Sequence, residues 1–174
     1  MARGSNQLRI ISGEFGGRLI NSPKTEATHP MGDRERSAIF NRLRDEIPGM
    51  EVLDAFAGSG ALGIEALSLG ASKVDFLEKH PEAIRTIKNN LQILNLKADI
   101  YRNINECTKY DIIFIDPPYD NPQYDLVREV ISHLKENGYI VLSHPASPIP
   151  PEFDGLELIS DKKYASAHIK IYKK

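Results

Sequence analysis

The 174-residue sequence predicts an α/β fold built on a mainly parallel, doubly wound sheet of seven strands. Between residues 51 and 142, short apolar runs alternate with segments whose apolar residues recur at helical spacing. One run, Ile112-Ile113-Phe114-Ile115, is apolar without interruption, as in strands covered on both faces. The last two runs lie close together in the chain, which predicts an antiparallel C-terminal hairpin.

The N-terminal segment differs from the alternating part. Two short apolar runs, residues 8–12 and 18–20, flank Gly13, Gly16 and Gly17, so we expect a small β-hairpin followed by a loop over 21–32. We therefore divide the chain into a hairpin and loop, residues 1–32, and a main domain, residues 33–174.

The main domain is expected to open with a helix that Asp33 caps and that ends before Pro48-Gly49. The chain then alternates between the two kinds of element. We expect strands over residues 52–56, 73–77, 98–102, 112–115, 139–142, 156–161 and 167–172, and helices over 60–69, 81–95 and 123–136.

Composition excludes several classes of protein. Hydrophobic residues make up 41% of the chain and charged residues 26%, which is typical of a globular domain. No apolar run approaches the roughly 18 residues of a membrane span, and the start lacks a signal-peptide core. A single cysteine, Cys107, excludes an internal disulfide, and the dispersed histidines show no metal-binding spacing. We expect a cytoplasmic monomer without a metal.

Arginine is distributed unevenly. Seven of the ten arginines lie in the first 50 residues, although the net charge of the chain is −2. Arginine pairs well with phosphates, but on charge alone a solvated face is the favoured interpretation of this distribution.

A glycine-rich loop follows the first strand of the alternating part. Gly58, Gly60 and Gly63 fit the G-x-G-x-x-G pattern, and Glu78 ends the next strand. This context predicts a Rossmann-like nucleotide site in which the acid binds ribose hydroxyls. Asp54 lies just before the loop; its carboxylate would repel the pyrophosphate of NAD and attract a sulfonium, so the loop favours S-adenosylmethionine.

A second motif, Asp116-Pro117-Pro118-Tyr119, follows the apolar strand. In a parallel sheet it lies at the same edge as the glycine loop. Prolines have no N–H, so this backbone offers mainly acceptors, Asp116 adds another, and Tyr119 offers a flat face. Acceptors beside an aromatic plate suit a base that carries an NH₂ group, and they would stabilise charge as that nitrogen accepts a methyl group.

Together the residues resemble a known family. The run from Val52 to Leu67, the motif Asp116–Tyr119 and the tail from Lys163 to Tyr172 are similar to the RsmD family, and so is the opening from Arg9 to Arg18 and from Asp33 to Asn41. Members are class I S-adenosylmethionine-dependent methyltransferases that modify the N2 nitrogen of guanine 966, in the usual rRNA numbering, of bacterial 16S rRNA.

The resemblance implies roles for individual positions. Asp116–Tyr119 would hold the guanine, and the partner would be 16S rRNA or the small ribosomal subunit. The residues implied to line the cofactor site are Asp54, Ala55, Gly58, Ser59, Gly60, Glu78, Lys79, Asn103 and Asp116. Those implied to grip the RNA are Arg9, Arg18, Arg34 and Arg36.

The chain departs from the family pattern at four places. It has Thr28-His29-Pro30 for a Thr-Arg-Pro, Ser37 for a common glutamate, and Ser143-His144 where an acidic residue often follows the fifth strand. The stretch 99–110 is short, which predicts the loss of a helix.

Three other functions are compatible with parts of the pattern. The glycine loop alone also fits a nicotinamide-dependent oxidoreductase. The motif at Asp116 also fits methylation of a DNA adenine or a protein amide. A non-catalytic RNA-binding module is disfavoured by the intact glycine loop.

Overall fold

The computed structural model describes residues 7–24, 31–164 and 167–174. The strands are β1 (Gln7–Arg9), β2 (Leu19–Asn21), β3 (Glu51–Ala55), β4 (Lys73–Leu77), β5 (Asp99–Tyr101), β6 (Tyr110–Ile115), β7 (Leu134–His144), β8 (Glu157–Lys163) and β9 (His168–Lys173). The helices are α1 (Asp33–Leu43), α2 (Ala61–Ser68), α3 (Pro81–Leu94) and α4 (Tyr124–Ile131).

Seven of the strands form one sheet in the order β5-β4-β3-β6-β7-β9-β8. The first five are parallel, whereas β9 runs antiparallel to β7 and β8 antiparallel to β9. Strands β1 and β2 pair separately as the N-terminal hairpin. The predicted sheet and both predicted hairpins are therefore confirmed.

Both faces of the sheet are covered. Side chains that alternate along β3, β4 and β6 pack on one face against α1, α2, α3 and the N-terminal hairpin. The intervening side chains pack on the other face with α4, Ile104 and Phe153. This second face has less helical cover because the short link between β5 and β6 holds a single 3-10 turn, Ile104–Glu106, as its length predicted.

The prediction of a helix over residues 123–136 is wrong beyond Ile131. Val127, Val130 and Leu134 are buried and follow helical spacing, yet Leu134 already belongs to β7, where it pairs with Tyr110. The pairing is irregular at this start, and Gly138 is required there, because a Cβ atom would lie 2.7 Å from the carbonyl oxygen of Asp111. Packing against β6 thus overrides the helical pattern.

The N-terminal hairpin packs onto α2 and α3. Ile10, Phe15 and Ile20 belong to the same apolar cluster as these helices. The side-chain amide of Asn90 on α3 donates to the carbonyl oxygen of Asn21 and accepts from its N–H, both at 2.8 Å. Residues 7–24 therefore share the core of the main domain, whereas residues 25–30 of the predicted loop, with the Thr28-His29-Pro30 departure, lie outside the described residues.

A buried ion network joins the hairpin to α1 and α2. The side chain of Glu65 accepts from the N–H of Ile11 at 2.6 Å and lies 3.5 Å from the guanidinium of Arg36. Arg36 also pairs with Asp33 at 2.5 Å and donates to the carbonyl oxygen of Arg9 at 3.0 Å. Burial raises the pKa of Glu65, and the Ile11 N–H and Arg36 oppose that rise.

This network corrects two predictions. Arg36 is only 1% exposed, so it holds the hairpin in place and is not available to RNA phosphates as the resemblance implied. Asp33 is the first residue of α1 and pairs with Arg36, whereas Gly32 occupies the cap position. In the described part of the chain, no helix is long and apolar enough to cross a bilayer.

We predict that Arg36→Met lowers the free energy of unfolding by about 3 kcal/mol, because it leaves the buried Glu65 without its cation. Arg42→Met is the matched control on the same helix, since Arg42 is exposed, and should change stability by less than about 0.5 kcal/mol. Urea denaturation of both variants measures the difference. Equal effects would contradict a structural role for Arg36.

Candidate functional site

The candidate site lies at the point where the direction of the strand order reverses. The chain passes from β3 outward to β4 and β5, then returns to the other side of β3 with β6 and β7. Ala55 is level with Leu77 and Ile115, so the segments after these three strands leave the sheet side by side. Ligands of open α/β sheets bind in the crevice at such a switch point.

The two predicted motifs touch each other there. The backbone N–H of Asp116 donates to the carbonyl oxygen of Ala55 at 3.4 Å. The structure therefore brings the start of Asp116–Tyr119 next to the start of the glycine loop, as the position of both motifs after parallel strands predicted.

The glycines of the loop have separate roles. Gly58 (φ 55°) and Gly60 (φ 77°) adopt the left-handed conformation that favours glycine. A Cβ atom at Gly63 would lie 2.4 Å from the ring of Phe76, so this glycine permits α2 to pack on the sheet. A Cβ atom at Gly58 would meet no described atom within 4 Å, which leaves open space in front of the loop.

Asp54 lies beneath the loop. Its side chain is 1% exposed, and its carboxylate accepts from the N–H of Gly63 at 2.8 Å. Burial raises the pKa of Asp54 well above its ordinary value, the Gly63 bond opposes this, and the carboxylates of Asp116 and Glu78 add to the rise. The Asp54 side chain thus fixes the first turn of α2 and is closed to direct contact with a ligand in this conformation.

Glu78 braces the loop from the end of β4. One carboxylate oxygen accepts from the N–H of Gly58 at 2.8 Å and the other from the N–H of His80 at 2.9 Å. Each oxygen has a second lone pair that is free to accept from a hydroxyl group. The carboxylate is therefore held in position beside the open space at Gly58.

The other predicted cofactor residues surround the same edge. Ser59 is buried, and its carbonyl oxygen accepts from the side chain of Asn90 at 2.9 Å. Lys79 is exposed and donates to Gln123 at 3.1 Å. Asn103 is exposed after β5, and its side chain accepts from the N–H of Asn105 at 3.0 Å, which begins the 3-10 turn.

The second motif is half-buried and linked to β7. The hydroxyl groups of Tyr119 and Ser143 form a hydrogen bond. Burial raises the pKa of Asp116 to about 6, and the Ser143 hydroxyl opposes the rise. Burial also raises the pKa of Tyr119 to about 12, with a contribution from the Asp116 carboxylate. The motif therefore combines an aromatic ring fixed through its hydroxyl group with a carboxylate whose pKa is raised by burial.

Sequence reasoning missed the part played by Ser143, which it treated only as a departure from the family pattern. The signal was available, because a strand that runs parallel to β6 must end at the same edge of the sheet. The neighbouring His144 does not join the site. It is buried against the ring of His168 at 5.1 Å between centroids, and its Nδ1 lies 2.7 Å from the carbonyl oxygen of Pro145.

Three carboxylates, those of Asp54, Glu78 and Asp116, lie close enough at this edge for Glu78 and Asp116 to raise the pKa of Asp54. Beside the carboxylates of Glu78 and Asp116, a ligand that carries positive charge is favoured and a pyrophosphate is disfavoured. The electrostatics therefore disfavour a dinucleotide such as NAD.

Three of the four arginines predicted to bind RNA are on the surface. Arg9 donates to the carbonyl oxygen of Gly17 at 2.7 Å, and Arg18 donates to that of Ile93 at 3.1 Å. Arg34 lies over the ring of Tyr164, 6.0 Å from its centroid. These guanidinium groups are exposed, in contrast to that of Arg36.

Comparison with known proteins shows which family the chain resembles. A family model described as conserved hypothetical protein 95 matches residues 8–173. A Bacillus subtilis protein named as a candidate rRNA methyltransferase, YlbH, is 36% identical over 96% of this chain and 99% of its own length. Ribosomal RNA small subunit methyltransferase D of Haemophilus influenzae is 37% identical over 77% of this chain and 74% of its own length.

A solved structure has the same fold. An Escherichia coli protein described as a candidate methyltransferase, yhhF, superposes with a TM-score of 0.83 and 27% identity, covering 97% of this chain and 98% of the other. The family match over nearly all described residues, and the two relatives above 30% identity, confirm the predicted resemblance: the chain belongs to the RsmD family.

Proposed function

We propose that this protein transfers a methyl group from S-adenosylmethionine to the N2 nitrogen of a guanine in 16S rRNA, the guanine that the family resemblance indicates. The observation that carries the proposal is the contact between Asp116 and Ala55, which sets an acceptor-rich, aromatic motif beside the glycine loop. Relatives that align with most of the chain are named as rRNA methyltransferases, which supports RNA as the substrate.

The residues at the glycine loop fit the proposed cofactor. The open space at Gly58 admits a ligand close to the backbone, and Glu78 presents acceptors for ribose hydroxyls. Asn103 lies after β5, on the side where the adenine would bind. The carboxylates of Glu78 and Asp116 favour a positively charged ligand. When bound, S-adenosylmethionine supplies an electrophilic methyl group on its sulfonium.

The residues of the second motif would orient the guanine. The Tyr119 ring, fixed by Ser143, offers a face on which the base stacks. The Asp116 carboxylate and the Pro117 carbonyl oxygen accept from the hydrogens of the amino group, which makes its nitrogen more electron-rich and takes up positive charge during transfer. Because both hydrogens must be reached, the guanine has to be unstacked from its neighbours.

We further propose that the enzyme acts as a monomer on 16S rRNA, either free or within the small ribosomal subunit. The exposed Arg9 and Arg18 on the N-terminal hairpin would pair with RNA phosphates, and the exposed Arg34 on α1 would also contact the RNA.

We predict that Asp116→Asn lowers kcat for rRNA methylation by about 100-fold, because the amide offers one acceptor fewer and no negative charge. The affinity for S-adenosylhomocysteine should stay near that of the wild type. Tritium transfer to a 16S rRNA transcript and to small subunits measures the rate, and mass spectrometry identifies the modified base. The matched control is Asp120→Asn, because Asp120 is exposed next to the motif. An unchanged rate in Asp116→Asn would contradict the proposal.

We predict that kcat rises with pH through about 6 and then levels off. The pKa of Asp116 is raised to about 6, and only the ionised carboxylate accepts from the amino group without donating a proton. Protonation below this pH therefore removes activity. Single-turnover rates measured between about pH 5 and pH 8 test this, and Asp116→Asn should lose the dependence. A flat profile for the wild type would exclude Asp116 as the titrating group.

We predict that Gly58→Ala weakens binding of S-adenosylhomocysteine by at least about 10-fold, measured by calorimetry, because the new methyl group projects into the open space of the site. Gly49→Ala is the control. Gly49 also has a positive φ, and a Cβ atom there would meet no described atom within 4 Å, but it precedes β3 at the opposite edge of the sheet. Both variants should lose roughly 1–2 kcal/mol of stability from backbone strain. Equal ligand affinities would show that the space at Gly58 is not the binding site.

A further inference from the structure

The C-terminal hairpin and α1 enclose a shallow crevice on the surface. Its walls come from Ala38 and Arg42 on α1 and from Ser160, Lys162, Tyr164 and Ile169 on the hairpin. Ser160, Lys162 and Tyr164 alternate along the chain, so they face α1 together, whereas Lys163 belongs to the opposite face of β8. Neither the glycine loop nor Asp116–Tyr119 contributes to this crevice.

One end of the crevice, at Tyr164 and Ile169, lies at the same edge of the sheet as the proposed target site, because Ile169 pairs with Ser143. His144 at the end of β7 pairs with His168, and His168 pairs with Lys163 at the end of β8. The end of β8 and the start of β9 therefore lie at the carboxyl ends of the parallel strands. The first turn of α1 is also near the target motif, because the Glu35 carboxylate contributes to the raised pKa of Tyr119, after burial and Asp116.

The chemistry of the crevice matches single-stranded nucleic acid. Arg34 lies over the half-buried ring of Tyr164, so an aromatic face and a planar guanidinium are presented together. Arg42 and Lys162 add two exposed positive charges. The acidic residue on this stretch of β8 is Asp161. Its side chain lies on the opposite face of the strand, where its carboxylate is 3.8 Å from the Nζ of Lys170. Bases stack on aromatic rings and guanidinium planes, while cations beside them hold the phosphates.

We propose that this crevice binds the nucleotides next to the target guanine, with one base stacked on Tyr164 and Arg34 and the phosphates paired with Arg42 and Lys162. The inference rests on the proposed function, because a guanine drawn into the site at Asp116–Tyr119 leaves its neighbours unpaired. The crevice would be a second RNA-binding surface, in addition to the N-terminal hairpin. The RNA would then be held on both sides of the target guanine.

Paired variants test the surface. Tyr164→Ala should weaken binding of a 16S rRNA transcript by about 10-fold, whereas Tyr164→Phe should bind like the wild type. Lys162→Glu should also weaken binding and reduce the slope of log affinity against log salt by at least about 0.7, the value for one phosphate contact with a single strand. Lys163→Glu is the control, since it makes the same charge change one residue away on the other face of β8.

Separate measurements distinguish the ways in which the inference fails. All four variants should keep the wild-type affinity for S-adenosylhomocysteine, which checks the fold. If the wild type methylates the transcript but Tyr164→Ala and Lys162→Glu bind it normally, the crevice is not an RNA site. If only binding to assembled small subunits falls, the partner at this surface is a ribosomal protein, which also overturns the assignment. If the wild type methylates no RNA, the proposed function itself fails.

Ultraviolet cross-linking to the transcript, followed by mass spectrometry of the peptides, provides a direct readout. We expect nucleotides attached to the peptide that contains Tyr164. Cross-links confined to the N-terminal hairpin would overturn the proposal.

Discussion

The parallel pairing of β3 with β6 is the constraint on which the candidate site depends. This pairing aligns Ala55 with Ile115, so the glycine loop and the segment Asp116–Tyr119 leave the sheet side by side. The two segments meet where the Asp116 N–H donates to the carbonyl oxygen of Ala55. A shift of one residue in this register would turn the side chains of β6 to the opposite faces of the sheet. The buried, uninterrupted apolar run Ile112–Ile115 of β6 therefore serves function as well as stability, because it fixes the position of Asp116.

Backbone hydrogen bonds offset part of the free-energy cost of burying carboxylates at this edge of the sheet. Asp54 is buried, which opposes its ionisation, but the Gly63 N–H stabilises its charge. Glu78 is satisfied in the same way by Gly58 and His80. Burial raises the pKa of Asp116 to about 6, and the Ser143 hydroxyl opposes that rise.

The sequence correctly predicted those elements in which the local residue pattern agrees with the packing. The sheet, the hairpins, the glycine loop and the edge shared by both motifs all followed from alternation, glycine placement and strand direction. The prediction failed at Leu134, where helical spacing continued into a strand, and at Arg36, for which the family resemblance implied an RNA contact on the surface. Local patterns do not show which charged side chain finds a buried partner. Arg36 meets Glu65 across 29 positions of sequence, and only the packing of α1 on α2 brings them together.

Helix α2 contacts both the glycine loop and the N-terminal hairpin, which are the segments proposed to bind the methyl donor and the RNA. Its first turn is fixed by Asp54 and carries the glycine loop, while Glu65 and Ser68 farther along accept from Ile11 and Phe15 of the N-terminal hairpin. The hairpin that would bind RNA and the loop that would bind the methyl donor are therefore mounted on one rigid element of eight residues. Arg36 joins α1, and with it Arg34, to the same element through Glu65. The groups proposed to contact RNA are in this way held at a fixed distance from the proposed donor site. Such fixed geometry is what a transfer reaction requires, since the nitrogen and the methyl group must be aligned before they react.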